Sequence, residues 1–488
     1  MATAVTEKYR TVIGLEFHVQ LLTESKMFCA CSAQYAANPP NTVVCPVCLG
    51  LPGALPVINE KVIECIVMTG MALNSQIPEF AKFDRKNYPY PDLPKGYQIS
   101  QFDLPFCIEG HLTLDEEDGG RTIGITRVHQ EEDTAKSTHV TAASGERYSL
   151  VDFNRSGVPL MEVVTEPDIA SPEEAAAFGR KLRQIVRYLG ISTGNMEDGA
   201  MRCDANISVW PADAPLGDIK VEVKNMNSFR AVERALYFEQ ERQTRILESG
   251  NDTRVTETRG WVETSGETVS QRTKEEAHDY RYFPEPDLPP LQLSREWIEG
   301  VREKLPELPA AKKERFMAEF DLSDYDASLL TQSRDLADYF EAASAGAKNA
   351  KAVANWMSRN LLQRLNESGS EIGDCKISPD ALAEMILMIE SGAISNRMAQ
   401  EVFDQMFDTG KSAKVIVKEQ GLAQISDEDE LAGIVATVIA ENPAAVQDFN
   451  QGKKRAIGFL VGQVMKATRG KANPGIVNQK LQEALRQD

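Results

Sequence analysis

The sequence predicts an α+β protein: a sheet-rich N-terminal body, then a helical domain, then a small all-helical tail. Three observations carry this. Short β-like runs broken by Gly, Pro and Asp extend from Tyr9 to about Leu293. Apolar residues at three and four spacing fill Glu296 to Asp408, as in Leu382, Met385, Ile386 and Ile389. Shorter helices follow from Gly410 onward. With 488 residues, 42% hydrophobic and 26% charged, the chain has the composition of a globular protein of about two to four domains.

In the body, TVIGLEFHVQLL, RTIGITRVHQ, ERYSLVDFN, GVPLMEVVT, ANISVWP and IKVEVKN read as strands. Helical periodicity interrupts them at Ser171 to Leu189, opened by the cap-like Ser171-Pro172-Glu173-Glu174, and at Ser228 to Glu248. The proline-rich segment Tyr282 to Pro290 suits neither a regular helix nor a central strand and reads as a connector. The expected domains are therefore 1–293, 294–409 and 410–488. There is no fixed-period repeat.

The longest apolar stretch, Ile63 to Leu73, is interrupted by Glu64 and Thr69 and is too short for a bilayer span. The start MATAVTEKYR lacks a signal or transit character, so a cytoplasmic location is expected. A formal charge of -20 argues against coating DNA, and any nucleic-acid site must be local. One such place exists: Phe449 to Gln482 holds seven basic residues, among them Lys453, Lys454, Arg455, Lys466, Arg469 and Lys471, and no acidic one. A solvated helix face is the ordinary reading of such a run, but here it is where an RNA backbone would be attracted.

Four of the eight cysteines fall in one short segment, Cys29-x-Cys31 and, after thirteen residues, Cys45-Pro-Val-Cys48. Two close thiolate pairs supply the corners of a closed, structural tetrahedral zinc site, with Pro46 and Gly50 favouring the turn that aims N–H groups at the sulfurs. Free, partly buried cysteines or redox chemistry are the alternatives. Cys65, Cys107, Cys203 and Cys375 read as core residues.

Strand alternation sends Glu16 and His18 to one face of the first strand and Phe17 to the other. The run His129-Gln130-Glu131-Glu132-Asp133 ends a second strand, and Glu162 sits inside an otherwise apolar third. Buried carboxylates need cations, and oxygen donors with one imidazole suit magnesium or manganese. A salt-bridged structural role is the alternative for Glu162. Arg202, Asp204, Asn206, Lys224 and Asn225 sit at strand ends and turns, which serves a ligand cleft or a turn-stabilising network equally well. No GxxxxGK[ST], helix-opening GxGxxG or GxSxG is present, so an ATP site would be of another kind.

Together VIGLEFHVQL, KMFCAC with CPVCLGLPGALPV, KFDRKNYPYPDLPKGYQISQFD, HQEEDTAKSTH, DFNRSGVPLMEVVTEPD, MRCDANIS, VEVKNMNSFR and AHDYRYFPEPDLPPL closely resemble the B-subunit family of the aspartyl/glutamyl-tRNA amidotransferases. FLVGQVMKATRGKANPGIVNQKLQEAL resembles that family's tail domain. The resemblance implies a cradle-like catalytic body and a carbon-nitrogen ligase. It implies ATP-dependent phosphorylation of the side-chain carboxylate of Glu-tRNA(Gln) or Asp-tRNA(Asn), then displacement of the phosphate by ammonia. In the family a glutaminase of the amidase type, the A component, releases that ammonia from glutamine, and a small C component braces the pair. Carried over by position, Glu16, His18, Glu132 and Glu162 are the expected magnesium residues, with Glu131 adjacent and sharing the role.

By the same resemblance Lys136, Asn154, Arg155, Arg202, Asp204, Asn206, Lys224 and Asn225 are expected to contact ATP or the aminoacyl-adenosine, Arg155 and Lys224 foremost at phosphate. Lys82 to Tyr88 resembles the segment near the ammonia channel. Phe17, Gln20 and Gln130 depart from the residues frequent in the family. Some family members lack the four cysteines, so zinc is expected to be structural. Two alternatives are a noncatalytic tRNA-binding scaffold, disfavoured by the carboxylates, and the archaeal glutamyl-only relative, disfavoured because 488 residues leave no room for its inserted domain.

Overall fold

The computed structural model describes residues 8–273, 280–421, 428–450, 453, 455–468, 472 and 474–486, which fall in two compact units, Met1–Pro309 and Ala310–Asp488. An eight-stranded sheet forms the first unit's centre. Its strands are β1 (Tyr9–Gln20), β2 (Cys107–Thr113), β3 (Thr122–Glu132), β4 (Pro159–Thr165), β5 (Met201–Pro211), β6 (Val221–Met226), β7 (Glu257–Val262) and β8 (Glu267–Thr273), in spatial order β8-β7-β6-β5-β1-β4-β3-β2. Neighbours run antiparallel except β6 and β7, which are parallel.

The alternation expected for β1 is realised. Ile13, Leu15, Phe17 and Val19 are almost wholly buried, while Glu16, His18 and Gln20 on the opposite face are half-buried. Helices α1 (Glu60–Ala72), α2 (Pro172–Tyr188) and α3 (Phe229–Glu248) contribute to the same core as the apolar side of the sheet. Phe17 stacks on Phe178 of α2 at 5.9 Å between ring centroids. The close approach needs Gly179, where a Cβ would meet the Phe229 ring at 2.7 Å and Phe17 at 2.9 Å. The expected cap holds α2: the Ser171 hydroxyl accepts from the Glu174 N–H, and the Glu174 carboxylate accepts from the Ala170 N–H. Ser228 caps α3 in the same way.

Helix α1 was not among the two helices expected for the body. Ten of its residues, from Val62 to Ala72, are buried all round, so it carries no one-sided apolar stripe to betray its period. Strands β2, β7 and β8 also go beyond the expectation. A helix α4 (Arg295–Arg302) follows the proline-rich connector, and its Ile298 and Val301 join the body core, which is why the compact unit continues to Pro309.

Smaller sheets decorate the body. Strand Asp84–Asn87 pairs with Tyr97–Ser100 on one side and with Phe283–Pro284 of the connector on the other, and Lys136–Thr141 with Arg147–Asp152 form a largely exposed hairpin.

The second unit is helical among the described residues. One core runs from Phe316 to Val417, so the helix Ala413–Gln420 packs with the helices before it, and another runs from Leu431 to Leu485. No described helix is long and apolar enough to cross a membrane.

Candidate functional site

The register of the sheet explains how the polar face is assembled. His18 of β1 lies opposite Glu162 of β4, which lies opposite His129 of β3, so these three side chains share one face and Glu131 joins it two residues further along. The His18 Nε2 stands 3.5 Å from a Glu162 oxygen and 3.7 Å from a Glu131 oxygen, and the His129 Nε2 is 3.2 Å from Glu162. The small sheet supplies the remaining partners of Glu131. Lys86 Nζ lies at 3.2 Å, the Ser100 hydroxyl donates at 3.1 Å and the Gln98 amide donates at 3.2 Å.

Of the adjacent pair, Glu131 shares the pocket with His18 and Glu162, and the expected ligand Glu132 does not. Its backbone is one residue on, so the side chain leaves by the other face. There it pairs with Lys95, accepts from the Ile99 N–H at 3.0 Å and lines a small cavity of about 80 Å³ beside Cys29 and Cys48. Glu16 sits two residues before His18 and accepts from the Asn206 amide at 3.1 Å. Burial, the charge of Glu162 and that of Asp204 push the Glu16 carboxyl above its ordinary value against the pull of His18 and Lys224. Burial works in the same sense on Glu162, but His129, His18 and Lys86 override it and hold that carboxyl well below the usual range.

A second polar row borders the first. Lys224 Nζ lies 2.5 Å from Asp204 and 2.9 Å from Glu222, and Arg202 Nη2 reaches Asp133 at 3.2 Å. Asp133 is also bonded by the Gln20 amide at 2.6 Å; burial raises its pKa, and Arg202, Arg155 and Gln20 reverse this and lower it. Asn225 adopts a left-handed backbone at φ 65°, which asparagine tolerates better than most residues.

Lys136, Asp152 and Arg155 line a cavity of about 1400 Å³ together with Gln20, Tyr35 and Thr193. The Arg155 guanidinium donates to the Thr134 and Ala135 carbonyls, both at 2.9 Å. Asn154 stands apart from the other expected ligand contacts. It is fully buried, its amide donates to the Pro39 carbonyl at 2.7 Å and its oxygen accepts from the Val43 N–H at 2.8 Å, which leaves it a structural clasp.

Sequence reasoning did not assign His129 or Lys86 to the cluster. The signal for His129 was available, since residues 129 and 131 of one strand share a face. Lys86 comes from another sheet, and no local pattern could announce it.

Among the described residues two groups bring ligand atoms within 4.8 Å of one another: His18, Glu131 and Glu162, and the four cysteines Cys29, Cys31, Cys45 and Cys48. The first set, two carboxylates and an imidazole, matches the donors preferred by magnesium or manganese. The second matches zinc. The Cys29 thiol and the Cys45 N–H bring Cys48 down to about 5 against burial, with the buried Lys26 ammonium assisting at 3.7 Å. Burial and Cys45 raise Cys31 to about 11. Cys65, Cys107 and Cys203 are buried in the body core and Cys375 packs on the helical core.

In the tail, Arg455 and Lys466 are exposed and Lys453 pairs with Asp448 at 2.7 Å. Lys454, Arg469 and Lys471 lie outside the described residues.

Comparison with known proteins places the chain in a family. The family model described as the GatB/GatE catalytic domain matches residues 11–299, and the one described as the GatB domain matches residues 338–485. The chain is 52% identical to the B subunit of the aspartyl/glutamyl-tRNA(Asn/Gln) amidotransferase of Carboxydothermus hydrogenoformans, over 98% of this chain and 99% of that protein. It is 54% identical to the B subunits of the same description from Thermomicrobium roseum and Moorella thermoacetica, over 98% of this chain and 99% and 100% of those proteins. The chain belongs to the B-subunit family of the aspartyl/glutamyl-tRNA(Asn/Gln) amidotransferases.

Proposed function

We propose that this chain is the activating subunit of a tRNA-dependent amidotransferase, a carbon-nitrogen ligase that forms Gln-tRNA(Gln), Asn-tRNA(Asn) or both. The observation that carries the reading is the cluster of half-buried His18 with buried Glu131 and Glu162, which gathers carboxylates with too few fixed cations on the polar face of the sheet. Mg²⁺ held there would neutralise phosphate charge during transfer from ATP to the substrate's side-chain carboxylate. Glu16 adjoins it on the same strand face, and His129 with Lys86 fixes the carboxylates in place.

Because the substrate brings its own nucleophile, the chain has only to bind, orient and exclude water. Arg202 and Lys224 border the cluster, and the 1400 Å³ cavity with Lys136 and Arg155 offers room for an acceptor end or nucleotide. Ammonia would come from a glutaminase partner of the amidase type, with a small third protein completing a heterotrimer that works in the cytoplasm. The tail, with Arg455 and Lys466 exposed, would hold the tRNA body through its phosphates.

The test is to reconstitute the chain with its amidase and small partners and assay Glu-tRNA(Gln) and Asp-tRNA(Asn) separately. ATP-dependent amidation of at least one is expected; failure with both overturns the proposal.

A further inference from the structure

Asn154 stands at the junction of the four-cysteine loop and the large cavity, and every bond it makes is internal. Its amide clasps the loop at Pro39 and Val43. The Val43 carbonyl in turn accepts from Lys26 Nζ at 2.9 Å, and that fully buried ammonium lies 3.7 Å from the Cys48 sulfur. One residue, Val43, therefore links Asn154 through its N–H and its carbonyl to the cation that faces the Cys48 sulfur.

Neighbouring bonds repeat the connection. The Ser156 hydroxyl donates to the Cys48 carbonyl at 3.1 Å, and the Met27 N–H donates to the Gly157 carbonyl at 2.9 Å. Asn41, left-handed at φ 60°, accepts from the Phe153 N–H at 2.7 Å while its own N–H donates to Asp152 at 2.9 Å.

The other side of this turn belongs to the polar face. Asp133 exchanges backbone bonds with it, donating to Val158 at 2.8 Å and accepting from Gly157 at 2.9 Å, and β4 begins three residues before Glu162. Ala33 to Asn38 of the cysteine loop and Asp152, Arg155 and Val158 of the turn all line the 1400 Å³ cavity. A displaced loop would change the cavity wall and the turn together, because a buried amide stripped of its partners must find others.

We propose that Asn154 is a positioning residue that couples the four-cysteine metal module to the substrate cavity, so that an intact module shapes the pocket for the acceptor end of misacylated tRNA. The identity of the occupant rests on the function proposed above; the coupling itself does not.

The experiment uses the assembled enzyme with Asn154→Ala, Asn154→Asp and Asn41→Gly, the last retaining the left-handed backbone. Zinc release to a chromogenic chelator, KM for misacylated tRNA, kcat and the thermal midpoint are measured for each. Asn154→Ala is expected to release zinc about 10-fold faster and to raise KM about fivefold with kcat within about twofold. Asn154→Asp, which keeps the acceptor for Val43, should fall between it and wild type, and Asn41→Gly should move both readouts the same way by less.

A lowered midpoint with unchanged zinc release and KM would show a merely structural role and overturn the proposal. Should Asn154→Ala fail to assemble, the same two readouts on Asn41→Gly and Asn154→Asp decide. Absence of amidation by the wild-type enzyme would overturn the assigned function instead, while the zinc-release rates still read the coupling.

Discussion

Two buried carboxylates of the body, Glu239 and Glu162, are handled in opposite ways. Glu239 of α3 is fully buried and completely answered: Arg242 at 2.8 Å, Arg259 at 3.0 Å, the Thr268 hydroxyl and the Gln243 amide all address it. Glu162 shares its pocket with Glu131 and lies near Glu16, with Lys86, bound to Glu131, and two imidazoles as the nearby basic groups. A carboxylate with guanidinium partners ties β7 and β8 to a helix. A group of carboxylates short of fixed positive charge is suited to a mobile cation. Burial alone therefore does not mark a site; the imbalance of charge does.

The sharpest way to break this contrast is to neutralise each carboxylate. Glu162→Gln is expected to lower ATP-dependent amidation on the order of 10³-fold while the thermal midpoint stays within a few degrees, checked by assay and melt together. Retained amidation would contradict the role given to it. Glu239→Ala should do the reverse: it leaves Arg242 and Arg259 facing each other without their anion and costs about 3–5 kcal/mol in a denaturant titration. A neutral effect on stability would show that the network is dispensable.

Smaller effects sharpen the picture elsewhere. Gln130 lies fully buried with neither amide atom bonded among the described residues, a cost with no gain of charge or ligand. Gln130→Met, similar in shape and apolar, should stabilise the protein by about 1–2 kcal/mol, and a destabilised variant would imply a partner for that amide. In the tail, reversing charge at Arg455 and Lys466 should reduce the slope of log affinity for tRNA against log salt by about 0.7–0.9 for each phosphate that goes unneutralised. An unchanged slope with a lowered melting midpoint would mean that the tail only packs.

What could be read from the sequence follows from how local each feature is. Alternation in Glu16-Phe17-His18 needs only three residues, and the cysteine spacing needs about twenty; the structure gathers His18 with two carboxylates, and the four cysteines with one another. The choice between Glu131 and Glu132 depended on the register of β3 against β4, which shifts between Ile125 and Arg127, and His129 to Asp133 is polar without a break, so alternation within it had no apolar reference. Asn154 entered the expected ligand contacts through the family resemblance alone, and the partners that clasp it, Pro39 and Val43, lie more than a hundred residues away. Helix α1 escaped because burial on all sides erases periodicity. Local chemistry was legible, and long-range register was not.

The central claim is that His18, Glu131 and Glu162 form the cation site and that Glu132 belongs to the other face. Manganese binding, followed by electron paramagnetic resonance on wild type, Glu131→Gln and Glu132→Gln, tests it most directly. Glu131→Gln is expected to weaken binding about 10-fold or more, and Glu132→Gln to leave it within about twofold of wild type. Loss of manganese in Glu132→Gln with retention in Glu131→Gln would contradict the assignment.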